Sequence, residues 1–339
     1  MPPRSPEPPT PPDPALEFSA AELSEARRFN RRLLYMPRFR APNRLSKLAI
    51  QSLMRAAQTL TPLAVSGVSI ASRRVVWKGQ ALNLRIITAG GPARGVYLDY
   101  HGGGWSIGNA AMDDPVNARI AKDCNLVVVS VDYPLMPEAK LPGIMANCAA
   151  AADWAFEHAE TEFGAGDLFI GGESAGGHLA ACTVLAMKRS RPDFARLKGV
   201  VLFYGVYDLS SSPSVRQAPR DALVLHGPSM RGGLGKLAPG RDEAGLRDPE
   251  ISPLYADLSG LTPALLLCGD IDPLIDDTRL MAARWSEANG NAAAIIAPEA
   301  PHAFNRFFTT LAARANARVR GWINARLADA GAAGKVAAE

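Results

Sequence analysis

Ser174 is the residue whose type and setting most favour chemistry. It lies in the stretch Gly-Gly-Glu-Ser-Ala-Gly-Gly at 171–177, directly after the apolar segment 167–170. Glycines two positions before and after a serine allow a sharp turn from a strand into a helix, because the two elements can then pass without side-chain clashes. The hydroxyl projects at the positive end of the helix dipole. The spacing therefore makes Ser174 a candidate nucleophile for acyl chemistry.

A second glycine-rich loop lies at residues 101–105, His-Gly-Gly-Gly-Trp, and follows the apolar segment 95–100. The backbone N–H groups of such a loop can stabilise a developing oxyanion. A lone G-x-S-x-G pattern is weak evidence, since roughly one in five to ten chains this rich in glycine would contain it by chance. Two such loops after two strand-like segments favour chemistry over two incidental turns.

His302 is the best candidate for a general base among the five histidines. It follows the apolar segment 292–298 and precedes a helical segment, so it can lie over the carboxyl edge of a sheet. His101 belongs to the glycine loop, and His158 lies in an amphipathic helical segment. His178 lies one helical turn beyond the serine, and His226 lies in a loop with no strand before it. In isolation His302 would be a surface loop residue, but the other motifs favour catalysis.

The acid that orients the histidine is expected between the serine and the histidine in chain order. The segment 263–269 is predicted to be a buried strand, and the turn after it carries Asp270 and Asp272. Asp272 precedes a proline, which holds it in an extended conformation suited to a fixed carboxylate. Asp270 is the competing candidate, whereas Asp276 and Asp277 are expected to cap the next helix.

These motifs resemble those of the hormone-sensitive-lipase-like branch of the α/β-hydrolases, the bacterial carboxylesterases. The matching stretches stand in the family's order with family-like gaps, cover roughly residues 65–325, and are highly specific in combination. They are His-Gly-Gly-Gly-Trp at 101–105, Asp-Tyr-Pro-Leu-Met-Pro-Glu at 132–138, Gly-Glu-Ser-Ala-Gly-Gly at 172–177, Ser-Pro-Leu at 252–254, Asp-Pro-Leu at 272–274 and His-Ala-Phe at 302–304.

The resemblance implies that Ser174 is the nucleophile, His302 its base and Asp272 the partner of the base. The N–H groups of the implied oxyanion hole belong to Gly103, Gly104 and Ala175. The implied reaction is hydrolysis of short-to-medium acyl esters through an acyl-enzyme, without a metal or an organic cofactor. The implied partner is a small-molecule ester, and the resemblance also allows a homodimer.

Three positions depart from the family's pattern. Glu173 stands where aspartate is commonest, Pro134 stands where arginine is usual, and Ala303 replaces a usual glycine after the base. None of them carries a reacting atom, so the departures bear on substrate preference and loop geometry and leave the reaction class unchanged.

The composition of the 339 residues fits one α/β-hydrolase domain with a small lid, since 47% of them are hydrophobic and the net charge is +4. Short basic clusters such as 27–28 and 31–32 are expected on the solvated face of a helix, so nucleic acid is not predicted as a partner. No stretch reaches membrane-spanning length, no signal peptide is recognisable, and the four cysteines lack metal-ligand spacing. The sequence therefore predicts buried free thiols, no membrane partner and a cytoplasmic location.

The predicted fold class is α/β: a mostly parallel eight-stranded sheet, flanked by helices and covered by a helical cap. Strand-like and helical segments alternate from about residue 65 onward, which is typical of parallel sheets. The first two strand-like segments are close together and predict an antiparallel hairpin. All eight lie near residues 67–77, 80–88, 95–100, 125–132, 167–171, 198–204, 263–269 and 292–298.

The chain divides into six predicted parts. Residues 1–15 are rich in proline and are predicted to be a disordered tail. Amphipathic spacing predicts helices within 16–62, and the resemblance implies that they form part of a cap over the active site. The long insertion 207–250 is assigned to the same cap. The remaining parts are the hydrolase core, in two pieces, and a frayed C-terminus, at 63–206, 251–330 and 331–339 respectively.

Other functions remain open on the same residues. An amidase, lactonase or acyltransferase would use the same serine, histidine and aspartate, so the motifs do not separate these activities. A binding protein on this fold would typically lack Ser174 or His302, and both are present. Haloalkane or epoxide chemistry would need an aspartate in place of Ser174.

Overall fold

An eight-stranded sheet forms the centre of the protein. The computed structural model describes residues 17–40, 42–60 and 65–336. The strands are β1 (Ser69–Trp77), β2 (Gln80–Thr88), β3 (Val96–Tyr100), β4 (Val127–Val131), β5 (Leu168–Glu173), β6 (Leu197–Phe203), β7 (Ala264–Gly269) and β8 (Ala292–Ala297). Their order across the sheet is β1-β2-β4-β3-β5-β6-β7-β8.

The sheet is parallel except at its first edge. β1 pairs with β2 and β2 with β4 in antiparallel register, and every later pairing is parallel. Every residue of β3, β4, β5 and β7 is buried. These strands consist largely of apolar residues because parallel strands of this kind are covered by helices on both faces.

Helices cover both faces of the sheet. Side chains of α4, α5 and α9 contribute to the core on one face, and side chains of α3 and α10 contribute to the core on the other. The helices are α1 (Ala20–Leu33), α2 (Arg44–Leu60), α3 (Asp114–Cys124), α4 (Leu141–Phe163), α5 (Ala175–Ser190), α6 (Pro213–Gln217), α7 (Gly227–Leu234), α8 (Glu243–Leu246), α9 (Ile275–Asn289) and α10 (Thr310–Val336).

The predicted fold class is confirmed. Each of the eight strand-like segments forms a strand, and the first two form the expected antiparallel hairpin. The four cysteines are buried free thiols, as predicted. Asp276 and Asp277 do not cap α9 as expected. Their carboxyl groups accept hydrogen bonds from backbone N–H groups of the segment 207–214 instead. Within the described ranges, no helix is long and apolar enough to cross a membrane.

The two segments that the sequence assigns to a cap meet each other. The stretch after α1 meets the insertion that carries α6, α7 and α8 through a bridge between Phe39 and Leu225. The N–H of Phe39 donates to the carbonyl oxygen of Val224 at 2.6 Å, and the N–H of His226 donates to that of Phe39 at 3.1 Å. These bonds join the two segments assigned to a cap, although the domain boundaries stay a prediction.

Two predicted segments fall partly or wholly outside the described residues. The tail 1–15 lies outside them, as do residues 337–339 of the predicted C-terminal segment. The backbone of α10 continues to Val336, so the helix extends beyond residue 330, where the core was expected to end.

We expect Gly176→Ala to destabilise the protein severely. A Cβ at Gly176 would lie 1.8 Å from the carbonyl oxygen of Tyr100 at the end of β3, and overpacking of this kind costs about 1–3 kcal/mol or more. Gly143→Ala in α4 is the matched control, because a Cβ there meets nothing within 4 Å; it should stabilise the helix by about 0.5–1 kcal/mol. Thermal unfolding measures both, and a Gly176→Ala variant that unfolds at the wild-type temperature would contradict the packing argument.

Candidate active site

Ser174 occupies the turn between β5 and α5, as the glycine spacing predicts. Its backbone angles are φ 55° and ψ −115°, a sparsely populated conformation that costs about 1–3 kcal/mol and persists only where the surroundings enforce it. The N–H of Ser174 donates to the carbonyl oxygen of Phe203 at the end of β6, at 2.9 Å. This bond anchors the turn to the neighbouring strand and presents the hydroxyl at the carboxyl edge of the sheet.

His302 and Asp272 lie in line with Ser174. The Nε2 of His302 is 3.0 Å from the Oγ of Ser174, and its Nδ1 is 2.8 Å from the Oδ2 of Asp272. The carboxylate of Asp272 is buried, and its second oxygen accepts the N–H of Leu274 at 2.9 Å. Asp270, the competing candidate, is exposed. The chain therefore brings together the serine, the histidine and the second of the two aspartates.

The loop 101–105 lies against the turn between β5 and α5. Gly103 and Gly104 have φ values of +116° and +60°, and a Cβ at Gly103 would lie 2.0 Å from the carbonyl oxygen of Ile107. Glycine is required there because other residues rarely adopt this conformation. In the described part of the chain, neither N–H donates to a protein acceptor. With Ala175 at the first position of α5, the loop offers N–H groups to a ligand oxygen.

Two buried rings support the glycine loop. The Nδ1–H of His101 donates to the carbonyl oxygen of Gly102 at 2.7 Å. The hydroxyl of Tyr133 donates to the carbonyl oxygen of His101 at 2.6 Å, and the two rings stack at 4.2 Å. Burial lowers the pKa of His101 to about 4, so its imidazole is neutral at physiological pH. His101 thus shapes the loop.

A buried polar network connects the serine turn to the histidine loop. Glu173 accepts hydrogen bonds from the side chains of Asn305 at 2.9 Å and Arg306 at 2.6 Å. Asn305 in turn accepts the hydroxyl of Tyr204 at 2.6 Å, and the ring of Tyr204 meets the imidazole of His302 edge-on at 4.6 Å. The residue before the nucleophile is thereby linked to the residues that surround the candidate base.

The guanidinium of Arg306 is shared among buried carboxyl groups. It binds Glu173, Asp113 and the carbonyl oxygen of Met112. Burial opposes the charge of Arg306, but the two acids raise its pKa well above the ordinary value. Burial raises the pKa of Asp113 well above its ordinary value, despite Arg306, and raises that of Asp99 to about 6. For Asp113 and Asp99, burial therefore outweighs the effect of the nearby cation on the pKa.

A cavity of about 490 Å³ opens beside Ser174 and His302. Trp105 of the glycine loop contributes to its wall, as does the cap. The apolar cap residues that line it are Phe39, Val224, Leu225, Met230, Leu234 and Leu237. The cavity therefore offers an apolar binding volume next to the candidate nucleophile. Among the described residues, no group of three or more His, Cys, Asp or Glu side chains could hold a metal ion.

Comparisons with known proteins agree with this geometry. Residues 97–306 match a protein family whose description is alpha/beta hydrolase fold. Carboxylesterase NlhH of Mycobacterium tuberculosis is 34% identical over 233 residues, 67% of this chain and 71% of that protein. A hormone-sensitive lipase structure from a metagenome library aligns with a TM-score of 0.75 at 26% identity, over 89% of this chain and 98% of that one. The chain belongs to the hormone-sensitive-lipase-like carboxylesterases of the α/β-hydrolase superfamily.

Coverage differs among the relatives of this α/β-hydrolase. Carboxylic ester hydrolase LipN of Mycobacterium tuberculosis is 35% identical over 205 residues, which are 56% of this chain and 51% of LipN. The chain thus spans about half the length of that relative. The family and the fold are established by these comparisons, and the activity of the whole protein is argued below.

The three departures from the hydrolase family's pattern have different structural settings. Glu173 is buried and bonded to Asn305 and Arg306. Pro134 is exposed. Ala303 has a φ of 60°, the left-handed conformation that glycine adopts without a Cβ penalty, and it lines the cavity. The histidine loop of this hydrolase therefore carries local strain that the contacts of the next residues must offset.

Sequence reasoning missed Tyr204, Asn305 and Arg306. Asn305 and Arg306 follow His302 closely in the chain, but their partner Glu173 is more than 130 residues away. The available signal was the pair of charges itself: Glu173 inside an apolar and glycine-rich turn needs a cation nearby. His178 is buried in α5, and its Nε2–H donates to the carbonyl oxygen of Ile251 at 2.8 Å.

Arg306→Met should lower the free energy of unfolding by about 3 kcal/mol, because it leaves the buried carboxyl groups of Glu173 and Asp113 without their cation. Arg189→Met is the control: Arg189 pairs with Glu250, and both side chains are more than half exposed. Its loss should cost about 0–1 kcal/mol. Urea unfolding compares the two variants, and equal losses would show that Arg306 does not hold the network together.

Proposed function

We propose that this α/β-hydrolase is a serine carboxylesterase that hydrolyses short-to-medium acyl esters through an acyl-enzyme. The observation that carries the proposal is the hydrogen-bond series from Ser174 through His302 to Asp272, at 3.0 and 2.8 Å. Its position beside a loop with free N–H groups supports acyl chemistry rather than a structural role for these side chains.

The first half of the proposed reaction forms the acyl-enzyme. The Oγ of Ser174 attacks the carbonyl carbon of the ester while the Nε2 of His302 takes the hydroxyl proton. The buried carboxylate of Asp272 holds the Nδ1–H tautomer and stabilises the imidazolium. When the tetrahedral intermediate collapses, the bond to the alkoxy oxygen breaks, and His302 gives its proton to the departing alcohol.

The second half releases the acid. Water enters, His302 removes its proton, and the hydroxide attacks the acyl carbonyl. Collapse of the second intermediate breaks the bond to the Oγ of Ser174, which regains the proton. In both halves the negative oxygen is assigned to the N–H groups of Gly103, Gly104 and Ala175. Loss of one such donor costs about 3–4 kcal/mol of transition-state stabilisation in comparable sites.

The cavity supports an apolar acyl group as the substrate portion beside the serine. Its volume of about 490 Å³ lies within the range of small-molecule sites. The cap segments and the core both supply apolar wall, the core through residues such as Trp105, Ile107 and Val206, so the acyl preference is assigned to both. A homodimer stays a prediction, which the oligomeric state in solution would test.

Ser174→Ala should abolish ester hydrolysis while leaving the fold intact. The expected loss in kcat is a factor on the order of 10⁶, as for removal of a nucleophile that acts with its base. The measurement is hydrolysis of p-nitrophenyl esters from acetate to laurate by the wild type and the variant. Short esters should be the best substrates, and unchanged circular dichroism should exclude unfolding.

Two results would contradict the proposal. Substantial turnover by folded Ser174→Ala would remove Ser174 as the nucleophile. A folded wild type that hydrolyses no ester would favour an amidase, a lactonase or an acyltransferase on the same residues, and amide and lactone substrates would then be tested.

Asp272→Asn and Asp270→Asn form a matched pair of variants, since they change the same atoms two residues apart. Asp272→Asn should lower kcat by a factor on the order of 10⁴, because an amide favours the wrong imidazole tautomer. Asp270→Asn removes an exposed charge and should leave kcat within about a factor of two. If Asp270→Asn were the costlier change, the assignment of the acid would be wrong.

A further inference from the structure

Helix α2 is amphipathic, but its polar side faces the protein. The amide of Gln51 exchanges two hydrogen bonds with the backbone of Gly108, and the amide of Gln58 exchanges two with the amide of Asn109. Lys47 is buried and binds Glu138 and a backbone carbonyl of the core. The contacts that fix α2 to the hydrolase are therefore largely polar.

The apolar side of α2 consequently faces outward. The side chains on it form what we call the α2 apolar face, and their exposed fractions are 79%, 64%, 39%, 73% and 81% for Leu45, Leu48, Ile50, Leu53 and Leu60. Apolar side chains gathered on one surface of a soluble fold usually mark a binding surface. Directly after α1, Leu34, Tyr35 and Met36 are also at least half exposed.

The segment of the chain that carries this face is rich in basic residues, of which Lys47 pairs with Glu138 and Arg27 with Glu299. Residues 26–98 contain no aspartate or glutamate. Within α1, α2 and the stretch between them, the basic residues are Arg27, Arg28, Arg31, Arg32, Arg38, Arg40, Arg44, Lys47 and Arg55. Arg38 and Arg40 line a second cavity together with Arg220 and His226, and burial and these arginines lower the pKa of His226. An anionic partner would be attracted to this part of the molecule.

We propose that the α2 apolar face, with the basic residues around it, docks the protein on the surface of an anionic lipid bilayer. A helix with an apolar side and many arginines binds at the boundary between headgroups and acyl chains. Anionic headgroups match the excess of arginine, and acyl chains match the exposed leucines. Contact of this kind needs no membrane-spanning segment, and it goes beyond the ester hydrolysis proposed above.

Other occupants of the face fit less well. Residues 1–16 carry only Met1, Ala15 and Leu16 as apolar side chains besides proline, too few to cover five large aliphatic side chains. A second copy bound through the same face would bring two arginine-rich segments together, and like charges repel. A bilayer satisfies both the leucines and the arginines at once.

Docking through α2 would place the substrate cavity at the bilayer. Phe39, Pro42, Asn43 and Arg44 line that cavity, and they immediately precede the α2 apolar face in the chain. An apolar ester dissolved in the membrane could then enter next to the docked helix. None of the leucines of the face lines the cavity, so docking can be altered without altering the candidate active site.

The test is co-sedimentation of the full chain with vesicles made of phosphatidylcholine and phosphatidylglycerol in equal amounts, compared with phosphatidylcholine alone. The protein should bind to the mixed vesicles. Binding should weaken in salt of about 1 M, where the Debye length falls to about 3 Å. Binding is read without substrate, so the result stands whether or not the protein hydrolyses esters.

Variants separate the two parts of the surface. Leu53→Gln should lower the partition coefficient by about tenfold or more, since each inserted methylene contributes to binding. Val76→Gln on β1 is the matched control, with 74% exposure against 73% for Leu53, and should bind as the wild type. Arg55→Gln, which removes an exposed charge on α2 itself, should lower binding by roughly fivefold. Thermal unfolding should be unchanged in all of them.

Three outcomes would overturn the proposal. The first is a wild type that does not bind mixed vesicles in low salt. The second is binding that Arg55→Gln weakens while Leu53→Gln changes it no more than Val76→Gln does. Such binding would be electrostatic adsorption only. The third is a concentration-dependent dimer that Leu53→Gln dissociates without any vesicle binding, which would assign the face to a second copy.

Discussion

The close contact between the β5–α5 turn and the end of β3 is the constraint on which the candidate active site depends. At Gly176 the backbone lies so near the carbonyl oxygen of Tyr100 that no side chain fits. This contact holds Ser174 in a conformation that an open turn would abandon. Because the loop 101–105 begins directly after Tyr100, the same contact sets the serine beside the glycine N–H groups. One packing requirement therefore fixes two of the groups that the proposed chemistry needs.

The third group, the histidine, lies on the loop after β8, and part of the backbone of this loop is strained. Ala303, next to it, has a left-handed backbone, which costs an alanine free energy that a glycine would not lose. The following residues offset this cost: Asn305 and Arg306 bind Glu173, the residue that precedes Ser174. The guanidinium thus connects the loop after β8, which carries the candidate base, to the turn after β5, which carries Ser174.

The sheet could be predicted from the sequence because its signals are local. Apolar segments of strand length, separated by helical ones, predict β3 to β8 as the structure has them, and glycine spacing marks the turn at Ser174. The network around Arg306 could not be predicted in the same way, since a buried ion pair depends on residues far apart in the chain. The orientation of α2 was also hidden, because a periodic pattern defines two sides of a helix and does not tell which one faces the protein.

Helices α5 and α2 differ in the kind of contact that attaches them to the core. Most of α5 is buried among apolar side chains of the sheet and α4, and detaching it would expose all of that surface to water. The described contacts of α2 with the core are the ion pair of Lys47 with Glu138 and several hydrogen bonds, and water can replace each neutral hydrogen bond at a net cost of about 1 kcal/mol. Movement of α2 therefore costs far less than movement of α5. Because Pro42 and Asn43 directly precede α2 and line the cavity, a shift of α2 would change that part of the wall while the serine, histidine and aspartate stay in place.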